Sequence, residues 1–475
     1  MDRGFRLSNG QTASYEWGSH AIRLAHATNP PNDLLHRLFA AMVNGSASWT
    51  DDADFRHAVS ILHEAAHSAQ DLCTGAGLWD FFLRESLMPD MLRELRMASW
   101  SSPFGKQPPR KLAQAYRQWL AGGFLPRSRP TRAKRMRHVS ERLKIDPNIT
   151  RRSLRLTAFA FDRLLEADAV VQVGLMLQGL QMSATQRQVM NRNGALWLAP
   201  DMARAYQGVY YDVISLLKQW AKADRRKPDA ALLAVAMFLT AFLIDLSLAH
   251  PTPRYLDSQS QDPGDHEPGL KFALLLSALS RLTTDESNEF LHALVKGEVD
   301  QAERMLLPKC AIAYPPTRQV YVDWADELNA KLRKLDDPIT QLRTKAISAR
   351  LARPADFVRK SLFTFLREQG LPIIVLQESG YRLTSMDPFY IDSNNAFALA
   401  SCLQHEMSAR RLLHAAYEGY PFECGRAEFG TCKAAQPQCR SGIAHAQDFP
   451  ASPDCSMRAW LEGSSFGYFH PVHTK

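Results

Sequence analysis

The chain has 475 residues, of which 45% are hydrophobic and 22% charged. That balance excludes a predominantly disordered polymer and leaves enough apolar side chains for two or three domain cores. A formal charge of +8 permits an acidic partner without demanding one.

The predicted elements are overwhelmingly helical. The first candidate covers residues 51–74, where Thr50, Asp51 and Asp52 offer N-cap oxygens and Val59, Leu62, Ala66 and Ala69 recur at helical spacing. Further helices are expected over 80–97, 153–178, 205–222 and 229–249. The last contains a long apolar run from Ala230 to Ile244 that ends at Asp245. A membrane span needs about 20 apolar residues, so this run reads as a buried core helix and no membrane partner is expected. Asp257 to Gly269 is a polar loop bearing Gly and Pro, and serves as the expected domain boundary. Helical patterns resume at 270–283, 285–305, 319–336, 338–351, 355–369 and 394–418. Only Pro372 to Leu376 reads as a strand.

The expected fold class is therefore mainly α. A helical domain over 1–256 is followed by a helical domain over 270–420 and a Cys-rich tail over 421–475. A basic insertion interrupts the first domain at about 103–155. There Arg127, Arg129, Arg132, Lys134, Arg135 and Arg137 fall close together among prolines. This stretch reads as a solvated insertion or as a docking surface for nucleic acid or an acidic protein.

The chemistry concentrates in His63-Glu64-Ala65-Ala66-His67. Residues i and i+4 stand one above the other on a helix, so both imidazoles can reach one cation. Glu64 follows the first of them and can take a proton from water at that cation. A closed site needs a third protein ligand. Cys73 lies at the position used by metzincin-type sites, but Gln70 stands where their turn needs Gly, so Cys73 is disfavoured. The better source is Phe161-Asp162-Arg163-Leu164-Leu165-Glu166-Ala167-Asp168. Glu166 sits among apolar neighbours, Asp162 shares its helix face, and Asp168 points elsewhere.

These two motifs resemble the H-E-x-x-H helix and the Glu-bearing second helix of gluzincin-like zinc metallopeptidases of the zincin class. The likeness covers the two motifs alone, and Val170 stands where thermolysin-like enzymes carry Asp. It implies a catalytic zinc held by His63, His67 and Glu166, with Glu64 as general base. Asp162 or Asp168, and also Asp71 at i+4 from His67, are candidates to orient a ligating imidazole. Tyr206, Tyr210, Tyr211 and His250 are candidates by residue type for stabilising an oxyanion.

Seven cysteines, Cys73, Cys310, Cys402, Cys424, Cys432, Cys439 and Cys455, are too few for a disulfide-dense secreted scaffold. The N-terminal MDRGFRLSNGQTASYEW shows no signal-peptide core, so a reducing cytoplasm is expected. The last four cysteines lie in a segment poor in core-forming residues, which suits structural zinc or an iron–sulfur cluster, with His445 as a spare ligand. His405 and His414 are nine residues apart and fall on different helix faces.

The expected function is a cytoplasmic zinc peptidase that cuts an intracellular protein, in the manner of a regulated stress or defence effector. The competing readings are a non-enzymatic helical protein that binds nucleic acid or a protein partner, and a zinc hydrolase of small amides or esters.

Overall fold

The computed structural model describes residues 13–16, 21–24, 52–83, 161–177, 230–254, 263–335, 338–360, 374–377 and 383–385, together with residues 408, 411, 412, 415, 422–424, 427, 432–441, 450, 455, 457 and 458. The basic stretch at 103–155, Tyr206, Tyr210, Tyr211, His405, His414 and His445 lie outside them.

The described fold is mainly α. Strands β1 (Ala13–Glu16) and β2 (Ala21–Leu24) precede helices α1 (Asp52–Cys73), α2 (Phe161–Leu177) and α3 (Ala230–Leu248). Then come α4 (Pro268–Leu279), α5 (Thr284–Lys296), α6 (Val299–Leu306), α7 (Thr317–Leu335), α8 (Pro338–Ala352) and the single turn α9 (Asp356–Arg359). Strands β3 (Ile374–Gln377) and β4 (Leu383–Ser385) and the short helix α10 (Pro437–Ser441) follow.

Helix α3 is the centre of the packing. It is apolar around its whole circumference, which only a helix covered on every side can tolerate. Helices α2, α4, α5 and α9 supply that cover. The hydroxyls of Thr240 and Ser247 donate to the carbonyls four residues back, so neither breaks the apolar surface. One buried cluster runs from Ala76 and Leu164 through Phe242 and Leu246 to Phe272, Phe290 and Val358. Residues on both sides of 257–269 thus share it. Among the described residues, no helix is long and apolar enough to cross a membrane.

The helix expected over 285–305 is two helices. Gly297 adopts φ 80 at the end of α5, a left-handed cap that turns the chain into α6. The start of α5 carries a capping box between Thr283 and Glu286. The single expected strand is β3, and it belongs to a four-stranded sheet ordered β1-β2-β3-β4. Antiparallel β1–β2 and β3–β4 pairs flank a parallel β2–β3 pair. At three or four residues each, these strands are too short for alternation to be read in the sequence. The sheet packs through β1 and β2 on α1.

Two arginines on one face of α8 grip the C-terminal end of α1. Arg343 donates to the Asp71 carbonyl at 2.5 Å and pairs with the Asp71 carboxylate at 3.2 Å. Arg350 donates to the Cys73 carbonyl at 3.2 Å and pairs with Asp245 of α3 at 2.5 Å. Both guanidiniums are buried, over the rings of Phe81 and of Tyr321 and Phe357 respectively. Cations at the carbonyl end of a helix also oppose its dipole. Beyond Cys73 the chain re-enters helix over 75–83 through a crowded corner. A Cβ at Gly75 would collide with the backbone of His250, and one at Gly77 with the backbone of Asp71.

Breaking a buried ion pair from one side leaves an uncompensated charge. Asp71→Ala is therefore expected to cost about 3–5 kcal/mol in urea unfolding, and a loss below about 1 kcal/mol would show that Arg343 finds other partners.

Lys271 of α4 is buried, donates to the Ala249 carbonyl at 2.7 Å and lies 4.7 Å from the centre of the Tyr314 ring. Burial pushes its pKa down from 10.5 to about 8, against the pull of Glu303. The unfolded chain therefore holds a proton between those two values that the folded chain releases. Stability relative to Lys271→Met is expected to rise with pH across that window, by ~3 kcal/mol in all. Urea midpoints that differ by the same amount at pH 8 and pH 10.5 would refute this.

Candidate metal centre

Helices α1 and α2 lie side by side and present three ligand-type atoms to one point. His63 Nε2 is 2.9 Å and His67 Nε2 3.4 Å from the same oxygen, Glu166 Oε2. Among the described residues this is the one trio of His, Cys, Asp or Glu whose ligand atoms gather within 4.8 Å. The two imidazoles meet edge to face, 4.9 Å between centres. For metal–ligand bonds of about 2.05 Å, the edge of a tetrahedron is about 3.3 Å. The His67–Glu166 separation matches that edge.

The tautomer of His67 follows from its neighbours. The Gln70 side-chain nitrogen donates to the Leu165 carbonyl at 3.0 Å and to the Asp168 carboxylate at 2.6 Å. Both partners are acceptors, so the amide oxygen must be the atom that faces His67 Nδ1, at 2.9 Å. Nδ1 is then the donor, which leaves Nε2 to face the Glu166 oxygen through either a proton or a cation. Two imidazole nitrogens and one carboxylate oxygen form the donor set that zinc takes in catalytic sites with a fourth position open. The residues present therefore fit a bound zinc.

The electrostatics fit as well. Burial disfavours a charged ring at His67, yet Glu166 beside it holds the pKa up at about 9. Burial would raise Glu166, but His67 and His63 hold it well below the usual carboxylate range. A cation at this point is favoured by a carboxylate that stays ionised. Glu64 is half-buried, and burial pushes its carboxyl upward, reinforced by Glu166 and opposed by His63 and His67. The backbone N–H of Tyr15 on β1 donates to it.

The other residues singled out from sequence are placed as follows. Asp168 is buried and accepts from Gln70 and Gln172, so it reaches His67 through Gln70. Burial raises its pKa to about 6. Asp71 is buried, accepts from the Tyr15 hydroxyl at 2.7 Å and pairs with Arg343. Asp162 lies in the first turn of α2, its side chain outside the described residues. His250 is built into the core, its ring stacked on Trp79 at 4.7 Å. Cys73 is fully buried, and burial pushes its thiol up to about 12, as expected of a core cysteine.

Sequence reasoning missed Gln70 and Tyr15. Gln70 stands three residues after His67, hence on the same helix face, and that spacing was the available signal. Tyr15 packs its ring 6.2 Å from His67 and had no local signal, because only the sheet brings β1 to α1.

Removing the partner of a ligating His costs about 10–100-fold in metal affinity. Gln70→Leu is expected to weaken zinc binding by that factor in competition with a chromophoric chelator. An unchanged affinity would show that the amide does not hold His67.

Comparison with protein-family models, with curated proteins and with solved structures gives no match.

Proposed function

We propose that this chain is a zinc-dependent peptidase acting on a protein or peptide inside the cell. The observation that carries the reading is the meeting of His63, His67 and Glu166 at one point, with Glu64 next in sequence to the first. Zinc at that point would supply Lewis acidity, lowering the pKa of water and polarising a carbonyl. The chain supplies the rest. Glu64 takes the proton, and its upward pKa shift brings it nearer to neutral pH, where a general base works best. Gln70 and Asp168 hold His67 in the ligating tautomer. Tyr15 steadies Glu64 through its backbone N–H and covers one face of His67 with its ring.

A peptide is favoured over a small amide by the place of β1. It is an edge of the described sheet, and its Tyr15 amide already reaches Glu64. An edge strand binds an extended peptide through main-chain hydrogen bonds, and here that edge borders the reacting position. A cytoplasmic location accords with the free thiols of the described cysteines.

The test compares wild type with Glu64→Gln on an unfolded protein substrate, with zinc measured in both. Glu64→Gln is expected to keep zinc and to lose at least ~10²-fold in hydrolysis rate. A chelator should abolish cleavage by the wild type, and added zinc should restore it. Cleavage that survives in Glu64→Gln, or wild-type protein without zinc at His63 and His67, would sink the proposal.

A further inference from the structure

We propose that Cys424, Cys432, Cys439 and Cys455 form a second zinc site, a closed structural set of four thiolates independent of His63, His67 and Glu166. The four are separated by 7, 6 and 15 residues in sequence. Cys424, Cys439 and Cys455 are nevertheless buried, at 7%, 4% and 7% exposure, and Cys432 is partly so. All four are free thiols rather than disulfides.

The backbone joins two of them directly. The Cys424 N–H donates to the Cys439 carbonyl at 2.9 Å, which joins two segments 15 residues apart in sequence. The Ala435 N–H donates to the Cys432 carbonyl at 3.2 Å and the Cys439 N–H to the Gln436 carbonyl at 2.9 Å. This turn returns the chain from Cys432 to Cys439 at the start of α10. No three of these four sulfurs lie within 4.8 Å of one another, yet those of Cys424, Cys432 and Cys439 are close enough to Cys455 to oppose its ionisation.

Burial pushes the thiols of Cys439 and Cys455 up, the latter to about 11, so they stay protonated unless a cation displaces the proton. The Gln436 amide donates to the Cys439 sulfur, and the Arg458 amide to that of Cys455. The buried Ser408 hydroxyl lies 4.0 Å from the Cys424 sulfur. Main-chain amides aimed at sulfur stabilise the ionised form, as second-sphere donors do around metal-bound cysteine. A cation at the four sulfurs would displace their protons and balance the thiolates that result. A soft, tetrahedral sulfur set selects zinc or an iron–sulfur cluster. Cys424 and Cys439 are joined directly backbone to backbone, which suits convergence on one small ion better than on a bulky cluster. Binding would draw the sulfurs to about 3.8 Å from one another, the edge of a tetrahedron with zinc–sulfur bonds of about 2.3 Å. The gain would order a segment that has little apolar core of its own.

The experiment uses the full chain carrying His63→Ala and His67→Ala, so that its result does not depend on the first site. This protein is expected to retain one zinc per chain by elemental analysis, released in full by a mercurial that titrates thiols. Adding Cys424→Ser and Cys439→Ser should remove that zinc. Cobalt(II) exchanged into the His-substituted chain should give the intense near-ultraviolet thiolate-to-cobalt band, a readout that needs no cysteine variant to fold. The proposal is overturned by a His-substituted chain without zinc, by zinc that survives the cysteine substitutions, by cobalt without the thiolate band, or by iron and labile sulfide in place of zinc.

Discussion

The side-chain amide of Gln70 decides how the centre of this molecule is built. It joins α1 to α2 by donating to the Leu165 carbonyl and the Asp168 carboxylate, and it sets the tautomer of His67 with its remaining oxygen. An amide has one acceptor and two donors, and here two acceptors hold the donors, which leaves the oxygen to face His67. The consequence reaches Glu166, two residues before Asp168 on the same helix. Helix pairing and ligand geometry are therefore one constraint, and a shift of α2 against α1 would disturb both.

The C-terminal end of the ligand helix is held with equal care. Arg343 and Arg350 bind its last carbonyls and the Asp71 carboxylate, and through them α1 is tied to α8, to Asp245 and to the aromatic rings beneath α8. Buried ion pairs contribute little net stability against apolar replacements, but they tolerate few alternative packings. This arrangement explains the one charge that ends the apolar run of α3: Asp245 is the counter-ion of Arg350. The Tyr15 hydroxyl joins the same network at Asp71 while the Tyr15 ring packs beside His67. The edge strand is thereby coupled to the site from both sides.

The two proposed metal sites place different demands on the chain. The His63–His67–Glu166 set lies on two helices of the mainly α body, with a half-buried Glu64 beside it, as a site that must admit a substrate requires. Cys424, Cys432 and Cys455 lie outside regular elements and Cys439 in the short α10, where the use of an ion would be cohesion. Among the described residues, the core around α3 contains none from the cysteine segment.

The sequence by itself determined the things that depend on short-range periodicity. The helix bearing His63, Glu64 and His67 is legible because i and i+4 must share a face, and α2 and α3 because their apolar runs are long. Glu166 was legible as a candidate from its apolar surroundings. The break at Gly297 was not, because the helical pattern continues across it and only the left-handed backbone marks the turn. The tertiary structure alone decided that Glu166 meets both imidazoles across about a hundred residues. It likewise decided that Gln70 is the residue that bonds to His67, that Asp71 pairs with Tyr15 and Arg343, and that β1 borders Glu64. These are contacts between elements far apart in the chain. Local pattern encodes which face a residue occupies, and only packing encodes what that face meets.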